Sequence, residues 1–416
     1  MKIAIIGSGI SGLTSAYLLN KHHDIKVFEA NDYIGGHTHT HTINMDGADY
    51  EVDSGFIVYN ENTYPNFIKL LKELNVKTQI SSMGFSITSS NNKIEYAGNS
   101  LNSIFAQRKN LFKPSFYKML FEINRFNKEA KTHLEILDYA ETLGDYLCKN
   151  RYSSEFIDHY IVPMGAAIWS TIPSDMFKIP AKFFIKFFKN HGLLQIKNRP
   201  KWWVIKDGSR QYIKKIISNF KDSISISTPI KNVERFKDEI KIVFQSDNKS
   251  SETFDKVIFA THSDQALKIL KKPTNDEIKI LGSLPYQKNE VLIHTDETIL
   301  PKRKLAWASW NYSLDSNFNS PVALTYNMNI LQSLKCKKTF CVTLNNHSLI
   351  NPKKIIKKVI YYHPLFTAEG IKSQAKKHHI SGKNNTYFCG AYWRNGFHED
   401  GVVSAIDVAK QFGVEF

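Results

Sequence analysis

Three glycines near the start of the chain, Gly7, Gly9 and Gly12, have the spacing of a turn that cradles a pyrophosphate. Each has its own mechanical task. Gly7 permits a tight turn, Gly9 lets a phosphate approach the backbone, and Gly12 lets the following helix pack closely on the preceding strand. Ile10 and Ser11 fall where that helix begins, so its first N–H groups face the phosphates. Glu29, followed by Ala30, stands about 20 residues on, where a carboxylate reaches a ribose. Gly35 and Gly36, then His37 and Thr38, and later Gly55 and Phe56, add further close backbone approaches. The pattern predicts a bound dinucleotide.

The elements that must hold these residues come in separated pieces. An apolar run, Ile3 to Ile6, enters the turn, and a second ends at Glu29. A third run, 256–259, leads into Ala260 and Thr261. Near the C-terminus a strand from Tyr387 to Cys389 meets Gly390, and a closing helix opens at Glu399 with Asp400 as its N-cap. The expected fold is α/β: a Rossmann-like parallel sheet, discontinuous in sequence, with an inserted α+β substrate domain. Residues 1–60, 200–268 and 376–416 form the dinucleotide-binding domain in this reading, and 61–199 and 269–375 the substrate domain.

The extended signature, with Tyr50 to Phe56 included, resembles the FAD-binding site of the amine oxidase and carotenoid desaturase flavoproteins. Over nearly the whole chain, His294-Thr-Asp, Ala308-Ser-Trp-Asn-Tyr, His363-Pro-Leu-Phe and Gly396-Phe-His-Glu-Asp-Gly resemble a bacterial branch of that superfamily described as predicted NAD/FAD-binding proteins. The resemblance implies an amine-oxidase-like fold with FAD as cofactor. It puts Val233 against the adenine and Ala260 and Thr261 near the flavin phosphates. It gives Asp400 the ribityl or phosphate region, and the N–H groups of Gly401, Val402 and Val403 the flavin edge. It also implies oxidation or desaturation of a hydrophobic substrate, such as an unsaturated fatty acyl chain of phospholipid, and a lipid methyltransferase as partner.

FAD would supply the redox chemistry, and the chain its orientation. No second phosphate-binding fingerprint is present for a nicotinamide, so the substrate would reduce the flavin and O2 or a quinone would take the electrons. His398, His294 and Trp393 are the candidate catalytic residues, and Trp169, Trp310 and Tyr326 candidate walls. His37 stands where amine oxidases commonly carry arginine, and the run from Glu290 to Thr295 lacks the lysine they use near the flavin. Three alternatives stay open: a redox-neutral isomerase or mutase, an amine oxidase, and a non-catalytic FAD-binding partner of a lipid methyltransferase.

The formal charge of +16 rests on forty-seven lysines against eight arginines, without a nucleic-acid-binding module, which argues against nucleic acid as partner. Four cysteines without close pairing exclude a disulfide framework, and Cys389 is expected to pack in a core strand. His39 and His41 have no cysteine or carboxylate at ligand spacing, so no metal is expected. The expected location is cytoplasmic. Helix 181–194 carries Phe183, Phe184, Phe187 and Phe188 on one face with lysines between. That face either packs into the core, the favoured reading, or touches the inner membrane surface. The segment from Arg108 to Phe121 has a similar character.

Overall fold

The computed structural model describes residues 1–89, 93–245, 250–314 and 319–416. Its organising element is a five-stranded, wholly parallel sheet in the order Ile224–Ser225, Asp24–Phe28, Lys2–Ile6, Lys256–Phe259, Thr386–Phe388. Three distant stretches of chain therefore build one sheet. Its strands are short apolar runs buried on both faces, as a covered parallel sheet requires. Helix Ile10–Leu19 and the closing helix His398–Gln411 pack over one face, sharing a core of Leu13, Ala16, Val402, Ile406 and Ala409. A Cβ on Gly401 would stand 2.7 Å from Ile10 Cγ2, so the two helices meet where a side chain is absent.

An antiparallel three-stranded unit, Ile230–Arg235, Ile240–Phe244 and Ser251–Phe254, covers the opposite side, with Phe28 packed against Phe244 and Phe254.

The intervening segments meet in a seven-stranded sheet. Tyr286–His294, Trp310–Leu314, Leu324–Asn327 and Cys341–Leu344 supply four of its strands. Two features are decided only by assembly. Phe85–Ser89, from the first segment, pairs parallel with Trp310–Leu314 from the second. Ile355–Pro364, whose lysines mask its alternation, forms the sheet edge beside Tyr286–His294. Buried Glu95 accepts from the Arg303 backbone N–H and guanidinium, each at 2.7 Å, locking the segments together.

Helix Ala181–Asn190 is a core element. Phe183, Phe184, Phe187 and Phe188 are all buried among Trp169, Phe366 and each other, while Lys186 and Lys189 face solvent. Its stripe therefore offers nothing to a membrane. No helix among the described residues is long and apolar enough to cross one.

Candidate active site

The glycine turn has the geometry its spacing predicts. Gly7 sits at φ +105°, its N–H donates to the Phe28 carbonyl at 2.8 Å, and a Cβ there would meet the Ala260 carbonyl oxygen at 2.8 Å. A Cβ on Gly12 would lie 2.0 Å from the Gly7 carbonyl oxygen. Gly9 is the opposite case. A side chain there would meet nothing within 4 Å, because the space above it is open cleft. Gly36 backs the turn, since its Cβ would come 3.2 Å from Gly9 Cα, and Gly55 lets the backbone approach the His37 carbonyl.

Ser8 ties the pieces together. Its hydroxyl and backbone N–H both donate to Glu29 Oε2, at 2.6 and 2.9 Å, and its oxygen accepts from the Gly35 N–H at 3.2 Å. Glu29 Oε1 accepts from the backbone and side chain of Asn31.

This turn opens into a cleft of about 1090 Å³ between the parallel sheet and the seven-stranded sheet. That is at or above the upper end of the usual range of about 300–1,000 Å³ for a single small-molecule site. Gly7, Gly9, Ile10, Ser11, Glu29, Ala30, Gly35, Gly36, His37, Gly55, Phe56, Ala260, Thr261, Gly390 and His398 all line it. Trp169, Trp310 and Tyr326 line the far part with Phe187 and Phe366. Phe187 is 4.8 Å from Trp169 and 5.1 Å from Phe397 between ring centroids, so an aromatic wall runs to the residue beside His398.

His398 is held on several sides. Phe56 stacks on it, and Nε2 hydrogen-bonds Thr38 Oγ1 at 2.9 Å and the Tyr212 hydroxyl at 3.1 Å. Burial, then the nearby His37, keeps its pKa well below the ordinary histidine value, so the ring is neutral.

His37 lies in a second histidine group, stacked on Tyr361, with His262 and His363 rings 5.8 and 5.4 Å away. Burial lowers His37 and His363 to about 3 and His262 to about 4. His37 Nε2 and the Tyr392 hydroxyl are buried in the cleft wall without a partner in the protein. Two orphaned polar groups in the wall of a cleft that opens from a glycine turn are what a bound dinucleotide would satisfy.

Several expected positions move. His294 lies in the seven-stranded sheet, off the cleft. Its Nδ1 accepts from the Asp296 N–H at 3.0 Å and Nε2 bonds Thr343 Oγ1 at 2.7 Å, so both nitrogens are engaged in structure. Trp393 packs in the core with Ile6 and Phe28, off the cleft, and its neighbour Tyr392, in the same core, also lines the cleft. Val233 is buried, with its carbonyl taken by the Lys271 N–H; Ile230 lines the cleft in its place.

The closing helix begins at His398 with Phe397 as N-cap, three residues before the expected cap at Asp400. Asp400 thus stands in the first turn, where its carboxylate accepts from the Asn395 and Phe397 N–H groups. Gly401 N–H bonds the Phe397 carbonyl, and Val402 is fully buried against the first helix, so neither lines the cleft. Gly12 and Thr38 act from behind, the first by close packing and the second by holding His398.

Tyr286, stacked on His262 at 4.5 Å, Tyr361 and His363 also line the cleft and were not singled out from sequence. Only the His363 segment carried a signal, through the family resemblance. Cys389 is buried beside Ser15 in the sheet core. Among the described residues no cluster could hold a metal ion.

A parallel sheet with a glycine phosphate turn, opening onto an inserted aromatic region, defines the class of two-part Rossmann-like FAD-binding folds. The model of the flavin containing amine oxidoreductases matches residues 10–321, and the chain belongs to that family of FAD-dependent oxidoreductase enzymes. The CLA-producing fatty acid isomerase from P. acnes superposes with a TM-score of 0.71 at 15% identity, covering 99% of this chain and 98% of that one. Cyclohexylamine oxidase from Brevibacterium oxydans gives 0.69 at 13% identity, over 99% of both chains. Amine oxidase [flavin-containing] A of Canis lupus familiaris is 42% identical over 77 residues, 18% of this chain and 14% of that protein. The matched stretch thus spans well under two thirds of that curated relative.

Proposed function

We propose that this chain binds FAD and performs hydride-transfer chemistry on an apolar acyl chain with an anionic head, in the redox-neutral, isomerising mode. The observation that carries the reading is the distribution of charge in the cleft. Its aromatic part, from Trp169 and Phe187 to Trp310 and Tyr326, contains no carboxylate among the described lining residues, and the charged groups there are Arg199 and Lys201. The one lining carboxylate, Glu29, is at the glycine turn and already accepts four hydrogen bonds. An ammonium group finds no counter-charge in this wall, whereas a carboxylate or phosphate finds two cations.

FAD, when bound, supplies a hydride acceptor that can return what it takes. The Gly7–Gly12 turn, Glu29, Gly36 and His37 would hold its pyrophosphate and ribose part, and His398 and Tyr392 would lie toward its flavin end. The protein's own work is positional. The aromatic wall excludes water and holds the chain extended, and neutral His398, fixed by Thr38 and Tyr212, borders the reacting region without adding charge. In the isomerising mode a hydride leaves one carbon and returns to another, a double bond shifts between them, and no outside oxidant is consumed. The similarity in fold to a fatty acid isomerase supports this mode over net desaturation. The second reading, net oxidation with O2 as acceptor, draws support from the amine oxidases of the same fold.

The test is anaerobic incubation of the FAD-loaded protein with a polyunsaturated fatty acid. A conjugated diene, formed without lasting flavin bleaching, is the expected result. Lasting bleaching, reversed by O2, would replace isomerisation by net oxidation. Bleaching by amines alone would overturn the acyl-chain reading, and no response at all would favour a non-catalytic partner of a lipid-modifying enzyme.

A further inference from the structure

Apart from the cleft, the feature of the surface most in need of explanation is a cluster of exposed apolar side chains between residues 101 and 121. Leu101, Phe112, Tyr117 and Phe121 are 78, 86, 46 and 68% exposed. Soluble surfaces rarely spend aromatic side chains this way without a partner. Tyr117 and Phe121 are one turn apart on helix Pro114–His133, so they share its outer face, while Phe116 and Met119 point into the core. Phe112 ends the preceding Arg108–Phe112 turn. The turn Lys304–Ala306, with Leu305 50% exposed, packs beside Leu101–Ile104.

The charge around this patch has one sign. No aspartate or glutamate occurs between residues 98 and 121, while Arg108, Lys109, Lys113 and Lys118 do. Lys302 and Lys304 are exposed beside Leu305. Beneath it, the patch's helix roots in the same core as part of the cleft wall. Gly98 N–H donates to the carbonyl of Phe85, a cleft-lining residue, and Phe105 and Phe116 belong to the core that includes Tyr160, Trp169 and Phe187 of the cleft wall.

We propose that this face docks on an anionic lipid surface, with Phe112, Tyr117, Phe121 and Leu101 entering the interface and the flanking lysines meeting the head groups. Exposed aromatics interleaved with lysine on an outward helix face, with no acidic residue among them, fit a charged bilayer. The inference does not depend on which substrate the cleft takes. It also moves the membrane-facing role from helix Ala181–Asn190, whose phenylalanines are buried, to this segment.

The experiment is vesicle co-sedimentation of the full FAD-loaded chain. Vesicles of phosphatidylcholine alone are compared with equimolar phosphatidylglycerol and phosphatidylcholine, at low and high salt. The expected result is binding to the anionic vesicles only, weakened by salt. The Phe112→Ser, Phe121→Ser double variant should lose at least about tenfold in partitioning, with unchanged melting temperature and flavin content, because both side chains are exposed. Lys109→Gln with Lys118→Gln should weaken the preference for anionic lipid. Failure of the parent protein to bind would overturn the proposal, as would binding untouched by the phenylalanine substitutions. Self-association of the parent, abolished by Phe112→Ser with Phe121→Ser and without vesicle binding, would reassign the patch to protein contact.

Discussion

The ring of Phe56 lies flat on the imidazole of His398, with centroids 3.6 Å apart and planes 11° from parallel. One comes from the glycine-rich N-terminal stretch and the other from the start of the closing helix, and their contact joins the two ends of the chain at the cleft. Because His398 is stacked, buried and already hydrogen-bonded through Nε2, it orients the site as a neutral group. His398→Ala should leave FAD bound and slow single-turnover flavin reduction about tenfold, below the 10²–10⁴-fold typical of a general acid or base. Tyr212→Phe should give a smaller loss in the same direction. Rapid-mixing reduction kinetics decide. A bell-shaped profile with a limb near pH 6.5 that vanishes in His398→Ala would show that the ring titrates in turnover after all.

Two glycines three residues apart should behave oppositely. Gly9 has φ −68° and ψ 178°, open to any residue, and empty space above it. Gly9→Val is therefore expected to fold with the stability of the FAD-free parent and to retain no flavin. In Gly12→Val the new side chain meets the Gly7 carbonyl, an overpacking cost of about 3 kcal/mol or more. That variant should be lost from the soluble fraction. Melting temperature and bound flavin, measured together, separate the two outcomes.

Phe184 is fully buried between Trp169 and Phe188. Phe184→Asp should cost more than about 3 kcal/mol and unfold the helical region whether or not lipid is present. Retention of the parent melting temperature, checked by differential scanning calorimetry, would put that helix back at the surface.

Acid should destabilise the folded chain. Burial lowers His37, His41 and His363 to about 3 and His191 and His262 to about 4. Unfolded histidines take up protons near about 6.5, so between about pH 6.5 and 4 the unfolded chain binds more protons and stability falls as pH drops. Asp53 and Asp400, raised to about 6 and about 7 by burial, act in the other direction: their contribution is present at low pH and lost as pH rises through those values. The histidines are more numerous. A melting temperature that falls steadily from pH 6.5 to 4.5 is the expected outcome; a rise would mean the two carboxylates dominate.

The glycine turn, the carboxylate of Glu29 beside it and the parallel strands around them were legible in the sequence, because each is a local constraint. A turn that needs φ +105° at Gly7, or a helix that must touch a strand at Gly12, leaves its mark on the residue itself. The aromatic walls Trp169, Trp310 and Tyr326 were legible as types. Their meeting in one cleft came from the sheet that joins Phe85–Ser89 to Trp310–Leu314.

What only the tertiary structure decided was which ionisable and aromatic groups face the cleft. His294 and His398 are both buried histidines, and nothing local distinguishes the one tied to Thr343 inside a sheet from the one stacked under Phe56 at the cleft. Trp393 and Tyr392 are neighbours in one short helical turn and pack in the same core, yet only Tyr392 also lines the cleft. Asp400 lost its expected place because the helix is capped at Phe397, three residues before the expected N-cap. Sequence spacing fixes what the backbone can do over a few residues. The direction of a side chain depends on packing partners hundreds of residues away, as with Glu399, which accepts from the Asn66 and Phe67 N–H groups of another helix.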